Sequence, residues 1–465
     1  MHYLDTNFKV VCVNSVKRNA LRVLRLSNSR WRRVYLANIL NWSAMRVLRL
    51  SKKICGKLIL WAISLDPSRE IFKSNLASLQ LNTVSSSKIQ HFAFLGVIEG
   101  CKAVGAKIKL LQDNRSIKLS LPKVINNDIE ISKKYICEAI LPKTYIAEIT
   151  NATVFSNTDL IIVNNLALYD EIDKSDINTY AIKSPIVKKI SKQSVALSMP
   201  SDSSKTIPEG IHFAKDHSKN YFHWIVECIP RLSLVQSLAK NIPLLVDEDI
   251  PSQALEALEL LNTDNRPIIR LKRGKAYKVK KLHYPSQLSA LHDNYNKPNY
   301  KNDLIYSPEA ISFVRNAMLK KINAQEKAGN RKIYISRKNS DYRQLLNTVE
   351  VENFLAGMGF EIIFPEHLSF FTQLQIFSRA EIIIGQSGAG MTNFIFAPKG
   401  CKVVMLAGYH PDVNLHGFSA VAELSGIDLK FLFGKNIQMP TAFELHADFY
   451  IDLKMLSNYL GTVYE

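Results

Sequence analysis

Between residues 242 and 433, short apolar runs alternate with longer stretches whose apolar positions recur at helical spacing. The runs Ile242–Val246, Pro267–Leu271, Tyr277–His283, Lys332–Ser336, Glu361–Phe364, Glu381–Gly385, Lys402–Leu406 and Leu429–Phe433 predict strands. The stretches Ser252–Leu261, Pro308–Ala324, Val349–Met358, Phe370–Arg379, Thr392–Phe396 and Ser419–Leu424 predict helices. Strands rich in β-branched residues and separated by helices imply right-handed crossovers and parallel pairing, hence an α/β fold. Upstream, Ile89–Lys205 mixes short apolar runs with polar stretches; Asp159–Val163 predicts a buried strand, and Ser198–Gly210, rich in Ser, Pro and Gly, predicts a loop. The polar stretch His292–Asp303, with Pro298, predicts a linker. The body therefore reads as two α/β halves facing a cleft, and ligands of open α/β sheets bind outside the carboxyl ends of the strands.

Charge changes this picture at one end. The chain of 465 residues carries a net charge of +19, and residues 1–60 hold 13 Lys and Arg against the single acid Asp5. A near-repeat, LRVLRLS at Leu21 and MRVLRLS at Met45, lies inside this head, with Trp31, Trp42 and Trp61 among its apolar positions. The pattern predicts a basic helical extension over residues 1–85. Residues 1–65 suit amphipathic helices resting on an anionic membrane surface; a helical extension packed on the body with solvated Arg and Lys fits as well. No nucleic-acid-binding signature accompanies the charge, and nucleic acid is not an expected partner. Six scattered cysteines without a CxxC pair read as thiols in a reducing compartment. With no secretory or membrane-spanning pattern, a cytoplasmic protein is expected, peripheral on the inner face of the membrane.

Three segments carry candidate chemistry. In Asn220–Leu232 (NYFHWIVECIPRL), His223 and Glu227 fall four apart on one helix face, with Arg231 a turn further and Pro230 expected to end or kink the helix. A His beside a carboxylate is a usual general-base arrangement, although such pairs are often structural. In Tyr334–Glu350, Arg337 and Lys338 stand at the carboxyl end of a strand, Arg343 follows in the loop, and Asn347 is placed to cap the next helix. Cations there suit a diphosphate. In Gly385–Asn393 (GQSGAGMTN), a glycine-rich turn leads into a helix whose first N–H groups could meet an anion, or could simply make a tight turn. Asp247-Glu248-Asp249 has the form of a divalent-metal D-x-D but equally that of acidic residues before a helix, and Asp448 and Asp452, read as part of the last helix, are open to the same two readings.

Together the segments resemble glycosyltransferase family 61. Asn220, Tyr221, His223, Trp224, Glu227, Pro230 and Arg231 match its first signature. Ile335, Ser336, Arg337, Arg343, Asn347 and Glu350 match its second, with Thr348 where an acid is common. Pro365, Glu366, Leu368, Ser369, Phe370, Gln373, Phe377 and Ala380 match a connecting stretch. Gly385, Gly388, Ala389, Gly390, Thr392, Asn393 and Phe396 match the last, where Ser387 stands in place of a frequent His. The similarity covers about residues 205–410.

The resemblance implies a GT-B-like fold of two Rossmann-like lobes facing a cleft: an acceptor-side lobe over 86–300 and a nucleotide-sugar-binding lobe over 301–465. It implies an inverting transferase of capsule, exopolysaccharide or lipopolysaccharide synthesis, with no cofactor, no obligatory metal, a UDP-sugar as the expected donor, and a glycan or lipid-linked glycan as acceptor. His223 or Glu227 is then the base. Arg337, Arg343, Asn347, Glu350, Glu366, Ser387, Gly388, Ala389, Gly390 and Asn393 are the candidate donor-binding residues. The rival readings are a pyruvyl-transferring enzyme of related fold and a catalytically inactive scaffold of a membrane polysaccharide assembly complex.

Overall fold

The computed structural model describes residues 89–126, 129, 138–170, 184, 186–191, 193–200, 205–291, 304–324, 329–337, 343–410, 415–437 and 447–464. The basic extension, the 292–303 linker and Lys338 lie outside the described residues.

The described chain is a mixed α/β structure built on two large sheets. The first has eleven strands: β1 (Ile89–Gly96), β2 (Lys107–Gln112), β3 (Thr144–Phe155), β4 (Ile161–Val163), β5 (Leu166–Tyr169), β6 (Val187–Ile190), β7 (Ser194–Ser198), β8 (Lys205–His212), β9 (Leu244–Asp247), β10 (Ile268–Leu271) and β11 (Ala276–Pro285). They run in the order β10-β9-β8-β11-β3-β4-β5-β1-β7-β6, with β2 on the side of β3. The block β10-β9-β8-β11 is parallel, and β3 closes onto β11 in antiparallel register, Val279 opposite Ala152. Residues before 205 thus supply seven strands of this sheet, of which the sequence pattern shows only the one at 161–163.

β8 corrects the expected loop at 198–210. Pro208 and Gly210 punctuate that sequence, yet the strand forms from Lys205. Over its first half β8 pairs only with β11, β9 joining it at Ile211 and His212. Pro208, which has no N–H to donate, therefore lies where one side of the strand has no ladder to break.

The second sheet comprises β12 (Arg331–Ile335), β13 (Glu361–Ile363), β14 (Ala380–Gln386), β15 (Lys402–Gly408), β16 (Asp428–Asn436) and β17 (Phe449–Tyr450), in the order β13-β12-β14-β15-β16-β17. A seventh strand, Lys123–Val124, reaches across from the early part of the chain to pair with β16. All pairings are parallel except β16–β17. Strand order reverses between β12 and β14, because the chain moves outward to β13 and then returns. Loops leaving the two strands at such a point diverge and open a crevice at their carboxyl ends.

The helices that matter for the site are α1 (Val97–Ala103), α2 (Ser252–Leu261), α3 (Pro308–Lys321), α4 (Thr348–Gly357), α5 (Phe370–Phe377), α6 (His416–Leu424) and α7 (Leu453–Tyr464). Asp448 and Asp452 precede α7, contrary to expectation: Asp448 accepts the Gln344 N–H at 2.8 Å, and Asp452 accepts that of Lys454 at 2.8 Å in the helix's first turn. One continuous core joins the two sheets. It contains Ile211 and Val246 from the first, Ile333, Ile383 and Val403 from the second, and Trp224, Leu258, Val314, Phe370 and Phe394 between them. The opposite face of the second sheet buries Tyr334, Ile382, Ile384 and Leu406 beneath α4 and α7. Cys101, Cys228 and Cys401 are free and buried. No helix among the described residues is long and apolar enough to cross a membrane.

Candidate active site

The segment 220–233 is helical throughout but changes pitch. Asn220 caps it, its side-chain oxygen accepting the Phe222 N–H at 3.0 Å. One α turn at Tyr221–His223 gives way to a π turn at Trp224–Cys228 and a 3₁₀ turn at Ile229–Ser233. Pro230 lacks the N–H that an α-helix would direct to Val226, so the ladder shifts there. The whole π turn is buried, and Trp224 is core, its indole N–H reaching Ala254 O at 2.7 Å.

His223 and Glu227 meet as their spacing implies: Nδ1 lies 2.6 Å from Glu227 Oε1. A carboxylate on Nδ1 favours the tautomer with the proton on that nitrogen, leaving Nε2 as the proton-accepting position. The His217 ring stacks on His223 at 4.9 Å and fixes its plane. Glu227 is 1% exposed and engaged at both ends, its Oε2 being 3.8 Å from Lys215 Nζ.

A cavity of about 460 Å³ opens at the carboxyl ends of β12 and β14, where the strand order reverses. Tyr221, Gln253, Arg337, Glu366, Gln386 and Gly388 are among its lining residues. Arg337 follows β12 and donates from Nη1 to Ser387 O at 2.8 Å, so the guanidinium stands at the start of the glycine-rich turn. Two glycines there pack closely against their neighbours. A Cβ on Gly385 would lie 2.5 Å from Met391 Sδ, and one on Gly388 would lie 3.0 Å from Arg337 Nη1. The turn leads into a 3₁₀ helix, Ala389–Phe396, whose first N–H groups lack intrahelical acceptors. Arg337 and this helix start are thus a cation and a set of amide donors on one rim.

Asn393 does not face the cavity. It is fully buried; its Oδ1 accepts the Tyr221 hydroxyl at 2.7 Å and its Nδ2 donates to Gln373 Oε1 at 2.7 Å. Gln373 in turn donates to Pro365 O at 2.8 Å. The chain Tyr221–Asn393–Gln373 ties the His223 helix to the cavity wall. α2 reinforces it: Gln253 donates to the carbonyls of Glu366 and Leu368, and Glu256 accepts the Phe370 N–H at 2.6 Å, at the start of α5.

Of the remaining candidates, Glu366, Ala389 and Gly390 line the cavity. Ser387 is partly buried, its carbonyl held by Arg337 and its N–H by Leu406 O at 2.8 Å. Arg343, Asn347 and Glu350 are not among the lining residues. Arg343 takes a left-handed backbone, φ 55°. Asn347 corrects the capping expectation. It stands before α4, but its amide makes no cap bond and instead pairs both ways with the Ile451 backbone, at 2.8 and 3.1 Å. Glu350 accepts the Tyr450 hydroxyl at 2.9 Å. These residues stitch the start of α4 to the segment around β17.

The D-x-D carboxylates meet the protein's own donors. Asp247, fully buried at the end of β9, accepts from Ser156 Oγ, Asn157 N and Lys215 N at 3.0, 2.6 and 3.1 Å, and burial pushes its pKa up. Asp249 accepts from Asn157 Nδ2 and pairs with Lys219. Among the described residues no group of three His, Cys, Asp or Glu has metal-holding geometry.

Sequence reasoning missed Lys215 and Gln386. Lys215 sits in a loop with nothing local to mark it. Gln386 lines the cavity, is 2% exposed, and neither amide atom makes a hydrogen bond of acceptable geometry; its polar neighbour is the buried Tyr334 hydroxyl. Its place between Gly385 and Ser387 at a strand's carboxyl end was the available signal.

No curated protein matches the chain. Residues 221–404, which run from the His223 helix through every cavity-lining residue to the strand behind the glycine-rich turn, match the family model Glycosyltransferase 61, and this supports glycosyltransferase family 61 as the family of that segment.

Proposed function

We propose that the protein is an inverting glycosyltransferase that moves a sugar from a nucleotide-sugar, a UDP-sugar in the first instance, to a glycan or lipid-linked glycan acceptor. The observation that carries this reading is the cavity at the strand-order reversal, lined by Arg337, by Gly388–Gly390 at the helix start and by Tyr221, two residues before His223.

In the reaction, an acceptor hydroxyl gives its proton to His223 Nε2 while its oxygen attacks the anomeric carbon of the donor. The bond from that carbon to the diphosphate breaks, and its electron pair leaves with the nucleotide. Negative charge grows on the leaving diphosphate, which Arg337 and the amides of the helix start would stabilise; losing one such donor typically costs roughly 10²–10³ in rate. Glu227 is buried and held at both carboxylate oxygens, so its part is to orient His223 and stabilise the imidazolium. Attack from the face opposite the diphosphate inverts the anomeric configuration.

The wider reading is a two-lobed GT-B arrangement with the acceptor bound on the first-sheet side, working without an obligatory metal. Its setting is capsule, exopolysaccharide or lipopolysaccharide synthesis, with residues 1–65 on an anionic membrane at its cytoplasmic face. A panel of nucleotide-sugars offered with candidate glycan acceptors, followed by NMR of the product linkage, tests the reading. A product of inverted anomeric configuration supports it. Binding of no nucleotide would favour a scaffold, and a retained anomeric configuration would refute the single displacement.

A further inference from the structure

The polar contacts of His223 continue beyond Glu227. Lys215, in the loop after β8, has a side chain only 2% exposed. Its Nζ lies 3.8 Å from Glu227 Oε2 and 3.6 Å from Asp159 Oδ2, and Asp159 accepts from Gln287 Nε2 at 2.9 Å. Its backbone N–H donates to Asp247 and so fixes where the side chain begins. The result is a buried row, His223–Glu227–Lys215–Asp159, with one ammonium between two carboxylates.

We propose that Lys215 is a positioning residue for the reaction, the buried ammonium that sets the charge around the His223–Glu227 pair and thereby the pH range in which His223 can accept a proton. The inference rests on His223 being the base. An isolated buried carboxylate is costly, and a cation within 4 Å offsets that cost. Without the ammonium, the field at His223 becomes more negative. The imidazolium then forms at higher pH, and the base is already protonated over more of the acidic range.

The groups facing this row leave Lys215 with that role. Arg231, one turn past Glu227, is fully buried with its guanidinium over the Phe213 ring at 5.0 Å, and it makes no ion pair within 4 Å among the described residues. His212 is held neutral: burial first, then Arg231 and Lys215, push its pKa down to about 3. Burial pushes the Cys228 thiol up, so it stays uncharged. Asp247 faces the backbone of Lys215, Asp216 accepts from the Tyr169 hydroxyl at 3.4 Å, and His217 meets His223 by stacking. Among the described residues, Lys215 is thus the cation paired with the Glu227 carboxylate.

The test compares Lys215→Met with Lys215→Arg by NMR titration of ¹³C-labelled imidazoles, the His223 signal being assigned from His223→Gln. In Lys215→Met the His223 midpoint should rise by about one pH unit or more, as expected for losing a charge at this range. The acidic limb of kcat/KM should follow it, and Lys215→Arg should restore both. Because Lys215→Met leaves two buried carboxylates unbalanced, at a cost to folding, Asp159→Asn/Lys215→Met removes one charge of each sign, and its midpoint should fall between those of the wild type and Lys215→Met. A His223 midpoint unmoved in Lys215→Met or in the double variant overturns the proposal. The titration needs no substrate, whereas UDP binding by the wild type tests the functional reading separately.

Discussion

Gly388→Ala separates the cavity's chemistry from its architecture. The backbone at Gly388 is extended, φ 173° and ψ 171°, so alanine brings no conformational strain. Its added Cβ would sit 3.0 Å from Arg337 Nη1 and 3.1 Å from Nε and Cζ, tighter than nine in ten such contacts, so the guanidinium must give by a few tenths of an ångström. What lies in the way is the end of a flexible, half-buried side chain, so the fold yields by turning the guanidinium aside. That strains the 2.8 Å bond from Nη1 to Ser387 O and displaces the cation on the rim. A hydrogen bond to a charged group contributes about 1.5–3 kcal/mol, so UDP affinity should fall, by at most roughly 10- to 150-fold, the loss expected of Arg337→Ala. The melting temperature should stay within about two degrees of the wild type, because no buried apolar contact is lost. Calorimetric titration with UDP and a thermal melt on the same preparation measure both. Wild-type affinity in Gly388→Ala, alongside lost affinity in Arg337→Ala, would refute the steric argument; wild-type affinity in both would remove Arg337 from the donor site.

Tyr221→Phe deletes the bond to Asn393 and should lower kcat more than it raises the donor KM, at a stability cost of about 1 kcal/mol; an unchanged kcat would show that the Tyr221–Asn393–Gln373 chain does not position the His223 helix. Asn347→Ala strips both polar partners from the Ile451 backbone and should cost roughly 2–4 kcal/mol in urea unfolding while leaving UDP affinity intact; lost affinity at full stability would return Asn347 to the donor site. His212 carries a folded-state pKa of about 3 against an ordinary value of 6.5, so the unfolded chain binds the extra proton between these limits. Its contribution to stability is complete above pH 6.5 and is lost as pH falls toward 3, with a slope of at most about 1.4 kcal/mol per pH unit. His212→Leu should flatten that part of the curve, and an unaltered slope would count against the buried neutral imidazole.

The second sheet was legible because its strands are buried on both faces and therefore read as unbroken apolar runs, as at Ile382–Ile384 and Val403–Leu406. α2 begins and ends at the expected residues. Apart from β4, the early strands of the first sheet were not legible. They are mostly antiparallel, and even the longest, β3, pairs with β11 across more than a hundred positions. At the site, the His223–Glu227 pair followed from helical spacing, since its partners are local. The roles of Asn347 and Asn393 depend on Ile451, Tyr221 and Gln373, which no local pattern connects to them. Lys215 is the extreme case: its carboxylates come from a turn before β4 and from the His223 helix, and only the folded chain brings them to one ammonium.

The most direct test of the account is donor turnover and UDP affinity measured side by side in the wild type and in His223→Ala. His223→Ala should bind UDP as the wild type does, because His223 is not among the cavity-lining residues, while turnover falls at least about 10²-fold with loss of the general base. Turnover close to that of the wild type, with binding preserved, would contradict it.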